Sequence, residues 1–248
     1  MRILPVVTVM LFSASVAWSE YLTNPSFETP TATGRTPNGI PDTFAYWGYD
    51  WAEYRTAENG ITPLDGSRML RFMYSLSYGS VNPSRFNASE IIQLFDLTTL
   101  PDYTPSTIYR VYATAYFNRV AGDIETDTLF DVTLGGWTGN PVNFPNTYPD
   151  PLRHQSTQIE SDSDPLTWEI VTSTIKTQPG MNYLSVRLAA IENIFNDMQG
   201  GGTEFDGHYV DKVSLQIVAI PECGSVVMVG VLAIGMIVTK RRHGLALT

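Results

Sequence analysis

The residues best suited to chemistry are aromatic. Phe44–Tyr54 carries Phe44, Tyr46, Trp47, Tyr49, Trp51 and Tyr54 within eleven residues, and Trp137, Phe144 and Tyr148 lie in or beside 136–165, which reads as one long polar loop. Aromatic rings supply core packing, but they also offer flat apolar surface with a polar edge. On a protein surface, such rings stack on the apolar faces of pyranose sugars, while amides and carboxylates bond the hydroxyls. Trp47 and Trp168 read as core residues. Trp51 and Trp137 stand in polar, Gly-rich surroundings and are the candidates for exposed ligand contacts, with Tyr49 and Tyr148 as neighbours.

Catalytic signals are sparse. A glycosidase needs two carboxylates at a set separation across a cleft, and the 24 acidic residues between Glu20 and Ile220 nominate no particular pair. Asp123-Ile124-Glu125-Thr126-Asp127 opens like a calcium-binding helix–loop–helix motif, but Thr128 stands where Gly is needed and Leu134 where Glu is needed. Asp162-Ser163-Asp164 reads as a solvated turn. His154, His208 and His243 are scattered. There is no His-Glu-x-x-His, paired-cysteine, Gly-x-Ser-x-Gly or phosphate-loop pattern, which argues against zinc, esterase and nucleotide chemistry. No catalytic residue is assigned.

These residues require a scaffold, and alternation indicates what it is. Thr107–Asn118 places Tyr109, Val111, Ala113, Ala115 and Phe117 on one, core-facing side. Thr128–Gly135 alternates Phe130, Val132 and Leu134 with Leu129, Asp131 and Thr133. Asn182–Ala190 alternates Leu184, Val186 and Leu188 with Ser185 and Arg187. Tyr209–Val218 puts Tyr209, Asp211, Val213, Leu215 and Ile217 on one face, so Asp211 is expected on the apolar side, where an unpartnered carboxylate is costly. Further strands are expected at 68–74, 91–97 and 168–176. Turn-forming clusters such as Pro37-Asn38-Gly39, Leu64-Asp65-Gly66 and Gln178-Pro179-Gly180 divide them. Short strands between such turns predict one all-β domain over 20–220, an antiparallel β-sandwich. The spacing is wider than in an immunoglobulin domain, which favours a jelly roll.

Several segments, in order, resemble the galactose-binding-like jelly-roll modules found among carbohydrate-binding modules. Leu22-Thr23-Asn24-Pro25-Ser26-Phe27-Glu28 resembles their first strand, Leu64–Leu70 the turn and strand after an early Trp, Ser89–Leu97 with Gln93 the next, and Trp168-Glu169-Ile170-Val171 a late one. Gly207–Leu215 resembles the closing strand, with Lys212 where a second Asp is usual. The resemblance implies a structural Ca²⁺ joining the first strand to the last, with Glu28, Asp65, Ser67 and Asp211 at the matching positions. Calcium takes six to eight oxygen ligands.

Both ends read as targeting segments. Met1-Arg2, an apolar run from Ile3 to Val16 and small residues at Ala17 and Ser19 form a secretory signal, cleaved after Ser19 or after Ala17. The other end reads Pro221-Glu222-Cys223, an apolar stretch over 224–239, then Lys240-Arg241-Arg242. Those 16 residues cross a bilayer only with snorkelling from the basic cluster, since about 20 residues match its hydrocarbon. The cluster predicts a cytoplasmic C-terminus. The tail 221–248 resembles the PEP-CTERM sorting signal of Gram-negative bacteria, with Cys223 in place of the usual second Pro. That implies an exosortase-like sorting enzyme and the inner membrane as partners, and a body released or displayed outside the cell.

The body, 11 Lys and Arg less 24 Asp and Glu, has a net charge of −13. That excludes nucleic acid as a partner, because binding to it relies on cations neutralising phosphates. The lone cysteine lies in the tail, so the body has no disulfides. The expectation is therefore an exported protein with a non-catalytic module that binds a polysaccharide or surface glycan. The alternatives are a matrix component with no small ligand and a polysaccharide-degrading enzyme on a sandwich fold.

Overall fold

The computed structural model describes residues 21–74, 87–121, 128–148, 150–162, 164–192 and 208–220. The signal and the sorting tail lie outside them. Among the described residues no helix is long and apolar enough to cross a membrane.

Among the described residues, ten strands form two five-stranded antiparallel sheets packed face to face. One sheet runs β1-β4-β9-β6-β7: β1 Gly48–Tyr49, β4 Asn87–Asp96, β9 Tyr183–Glu192, β6 Thr128–Trp137 and β7 Arg153–Glu160. The other runs β2-β3-β10-β5-β8: β2 Trp51–Arg55, β3 Met69–Tyr74, β10 His208–Ala219, β5 Tyr109–Arg119 and β8 Glu169–Lys176. From β4 onward the chain changes sheet at every connection but one, the mark of a jelly-roll sandwich. Alternation had indicated β5, β6 and β9, and their apolar sets do face inward. Phe117 and Phe130 stack across the two sheets at 4.9 Å, and Phe72 extends the stack at 6.5 Å from Phe117.

The structure corrects three sequence expectations. The stretch 136–165 is not one long loop, because it contains β7. That strand, RHQSTQIE, is an exposed edge with polar residues on both faces, so it carries no alternation. Leu22–Glu28 is not a strand. It is a bent segment with Asn24 and Phe27 at positive φ, held by a pair of bonds in which Thr23 N–H donates to Gln93 Oε1 (2.7 Å) and Gln93 Nε2 donates to Thr23 O (3.0 Å). Lastly, Asp211 does not share a face with Val213, Leu215 and Ile217.

The reason for the last is a bulge. The pairing of β10 with β5 shifts between Asp211 and Ser214, with Lys212 at φ 50°. A bulge inserts one residue and changes which side the following residues face. Val210 therefore points into the core before it, and Val213 and Leu215 after it. The bulge also releases Val213 N–H from the ladder, and it donates to Pro25 O at 2.9 Å, pinning the first segment to the last strand.

The expected calcium residues meet at this corner, but they meet donors. Asp211 Oδ2 accepts from the amides of Leu64 (2.8 Å) and Asp65 (3.0 Å), and Oδ1 from that of Lys212 (2.7 Å). Glu28 accepts from the Ser67 amide and hydroxyl, both at 2.9 Å, and from the Arg68 amide at 2.7 Å. Asp65 accepts from Ser26 Oγ at 2.6 Å. Among the described residues no three His, Cys, Asp or Glu side chains are grouped to hold a metal ion. In this arrangement the protein's own amides and hydroxyls engage the carboxylates of the corner.

The corner titrates in two directions. Burial pushes Asp211 up to about 6, against the pull of the Asp65, Lys212 and Leu64 amides. Burial also disfavours the charge of Glu28, but the amides of Arg68 and Ser67 and the Ser67 hydroxyl outweigh it and hold Glu28 below its ordinary range. A carboxyl raised in the folded state stabilises when protonated, so the contribution of Asp211 is complete below its ordinary 3.8 and is lost as pH rises through about 6. Glu28 contributes the opposite way, above its ordinary pKa and lost on acidification. Carboxyl-detected NMR should find the Asp211 midpoint near 6, and Asp211→Asn should flatten the change in unfolding free energy between about pH 4 and 6. An ordinary midpoint, or an unchanged pH profile in the variant, would refute this account.

Candidate functional site

The inward phase of β6 and β9 dictates what faces out. With Phe130, Val132 and Leu134 in the core, Asp131, Thr133, Gly135 and Trp137 point to the outer side. Likewise Tyr183, Ser185 and Arg187 point outward from β9. The register sets these side by side: Arg187 opposite Thr133, Ser185 opposite Gly135, Tyr183 opposite Trp137. On the flanking strands, Ile92 lies beside Arg187, His154 beside Gly135 and Ser156 beside Thr133.

On this face an open cleft of about 240 Å³ is lined by Thr133, Gly135, Trp137, Tyr148, Pro151, His154, Ser185 and Arg187. It is smaller than the roughly 300–1,000 Å³ typical of sites for drug-sized ligands, and so suits a single small unit. Its floor is low because of Gly135. Trp137 folds back over that glycine and donates from Nε1 to Ser185 Oγ at 2.9 Å. A Cβ at Gly135 would lie 2.5 Å from Ser185 Oγ and 2.9 Å from Trp137 Nε1.

One wall is the segment between β6 and β7. A 3₁₀ turn at Pro141–Asn143, capped by Asn140, leads into the short helix α1, Phe144–Thr147. Phe144 is fully buried and meets Trp137 edge-on at 4.9 Å. Tyr148 packs on Phe144 at 5.4 Å, and Tyr49 on Tyr148 at 5.8 Å. Tyr183 stacks on Trp137 at 6.4 Å, with Phe44 against its edge at 6.1 Å. Together with Ile92 and Leu94 these rings form a second apolar cluster, on the outer side of the sheet and separate from the main core.

The electrostatics centre on Arg187. Its Nη1 lies 2.8 Å from Glu90 Oε2 and its Nη2 2.9 Å from Asp131 Oδ1. Asp131 also accepts from Thr133 Oγ1 at 2.6 Å and from the Ser156 hydroxyl. Tyr148 donates its hydroxyl to Glu90 Oε1 at 3.2 Å, tying the wall to the sheet. Burial would lower Arg187, but the charges of Glu90, Tyr148 and Asp131 hold it well above its ordinary value. Burial pushes Glu90 up despite Arg187. Burial and then the charge of Glu90 push Tyr148 up, so it remains a phenol. Chemically the cleft offers hydroxyl, imidazole and guanidinium groups beside apolar rings. The carboxylates behind it, Glu90 and Asp131, are committed to Arg187.

Of the four aromatic residues singled out in the sequence, three come to this face. Trp137 and Tyr148 line the cleft and Tyr49 supports Tyr148. Trp137 is only 4% exposed, however, and so presents an edge rather than the open face expected of it. Trp51 lies elsewhere, at the start of β2 in the opposite sheet, 36% exposed with the Arg35 guanidinium 5.3 Å from its ring. The chain changes sheet between Tyr49 and Trp51, which puts two residues only two positions apart in sequence on different sheets. Sequence reasoning missed Ser185, Arg187 and His154 as site residues, and Glu90 as the partner behind Arg187. The paired glycines Gly135-Gly136 inside a strand were the available signal, since a strand glycine often marks a close approach.

No family model and no curated protein matches the sequence. Solved structures with a similar course of chain include a module, TmCBM61, in complex with β-1,4-galactotriose, 15% identical over 79% of this chain and 97% of that one, with a TM-score of 0.42. The CBM22-1 xylan-binding domain of Paenibacillus barcinonensis Xyn10C is 13% identical over 84% of this chain and 100% of that one, with a TM-score of 0.41. The enzymatically active domain of bacteriophage CBA120 tailspike protein 4 is 11% identical over 80% of this chain and 21% of that one, also with a TM-score of 0.41.

Two substitutions test the geometry of the cleft. Arg187→Met strands the fully buried Asp131 and the mostly buried Glu90 without a counter-charge, and should cost about 3–5 kcal/mol in denaturant unfolding. Gly135→Ala should displace Trp137 and cost about 1–3 kcal/mol. Wild-type unfolding midpoints in either variant would contradict these contacts.

Proposed function

We propose that this chain is an exported protein whose β-sandwich is a non-catalytic carbohydrate-binding module, with the outer-face cleft as its binding site. The observation that carries the reading is the cleft itself, where apolar ring edges from Trp137 and Tyr148 stand beside the polar groups of Thr133, His154, Ser185 and Arg187. Sugars present the same two kinds of surface, C–H faces and hydroxyls. The absence of a catalytic role is inferred from the two carboxylates that reach the cleft's Arg187, Glu90 and Asp131, which are both engaged by that one guanidinium. A glycosidase pair must instead flank the scissile bond with one carboxyl able to give up a proton.

In this reading the N-terminal segment directs export. The tail beginning at Pro221-Glu222-Cys223 engages an exosortase-like sorting enzyme at the inner membrane, and the body is presented at the cell surface or in the matrix. Calcium is not assigned a role in binding.

The test is a glycan-array and soluble-polysaccharide screen of the full-length chain, with calcium and again with a chelator. Saturable binding is expected to at least one defined glycan in both conditions. His154→Ala, an exposed residue of the cleft, should weaken it at least fivefold, and Trp51→Ala, on the other sheet, should leave it unchanged. No binding from a folded sample would refute the module reading and favour a structural matrix role. Loss of binding in Trp51→Ala alone would move the site to the opposite sheet.

A further inference from the structure

The charges around the cleft define which glycans it can hold. Two of its lining residues can carry positive charge, Arg187 and His154. Arg187 is held between Glu90 and Asp131, so these three groups sum to one negative charge. Even with His154 counted as a cation the local balance is only zero, and the body around it is strongly acidic. A uronate or sulfate entering the cleft would either leave its own charge unpaired or draw Arg187 from carboxylates that are themselves largely buried. Both are unfavourable. A neutral hydroxyl meets no such barrier.

We propose that the cleft selects neutral glycans against uronic and sulfated ones, and that Glu90 sets this preference through Arg187. This rests on the binding reading above and narrows it to a class of ligand. Glu90 is not among the residues lining the cleft. It is a positioning residue, reached through Arg187 and through the Tyr148 hydroxyl. Asp131 performs the same neutralisation from below, but it also holds Thr133 and Ser156, so its removal disturbs more of the face. Glu90→Gln is the cleaner change. It keeps the shape and an acceptor for Tyr148 while freeing one charge's worth of Arg187.

The experiment measures binding of the full-length chain to β-1,4-galactan and to soluble β-1,4-glucan, each beside its C6-oxidised, uronate-bearing derivative, at low and at about 0.5 M salt. The wild type should bind a neutral polymer at least tenfold more tightly than its oxidised form. High salt should narrow that gap, because screening weakens the repulsion. Glu90→Gln should narrow it at least threefold at low salt, by improving uronate binding rather than by losing the neutral polymer. Equal or tighter uronate binding by the wild type, or a gap that salt leaves unmoved, overturns the proposal while leaving the module reading intact. The salt comparison needs no variant, so misfolding of Glu90→Gln does not shelter the idea. Binding to neither class of polymer, together with no hit in the glycan-array screen, overturns both readings together.

Discussion

The stack of Phe72, Phe117 and Phe130 between the two sheets is the constraint on which the rest depends. Side chains of a strand alternate with a period of two, so fixing one residue inward fixes its whole strand. Once Phe130 is inside, Asp131, Thr133, Gly135 and Trp137 have no choice but the outer face. A slip of one residue in β6 would place Asp131 in the apolar core and erase the cleft together with the fold. Core and site are thus two sides of one register.

The outer face shows what it takes to keep charge at a half-covered surface. Asp131 is fully buried and Glu90 nearly so, and an unpaired charge on either would be costly there. Arg187 pairs with both through separate nitrogens, a geometry its planar fork permits and a lysine's single ammonium does not. The Tyr148 hydroxyl then completes Glu90. The wall segment of the cleft is therefore held by the same polar network that makes the face tolerable, and by the seating of Phe144 against Trp137.

Much of the sandwich was legible in the sequence because β5, β6 and β9 alternate cleanly and are bounded by turn residues. What was not legible had physical causes. The edge strand β7 places Gln155 and Thr157 as well as Ile159 on its inner side, so it has little hydrophobic phase to read. The bulge at Lys212 broke the phase of β10, so the apparent apolar face through Tyr209, Asp211 and Val213 belonged to two sides of the sheet. At the site, the aromatic residues were visible by type, and three of the four singled out do converge. The polar floor was not visible, because Ser185, Arg187 and His154 come together only through cross-strand register, from strands 30 or more residues apart in part. Burial of Trp137 was equally hidden, since it depends on Phe144 and Tyr183 closing over it.

The bond from Val213 N–H to Pro25 O carries a consequence for biosynthesis. It joins the opening of the body to its last strand, and β10 sits at the centre of its sheet between β3 and β5. A nascent chain emerging from the ribosome therefore holds no finished sheet of that side until nearly the whole body has been made. Such long-range closure makes folding slow. A product truncated before β10 would lack the strand that joins β3 to β5, and its first segment would keep its bonds to Trp47, Asp65, Ser67, Arg68 and Gln93.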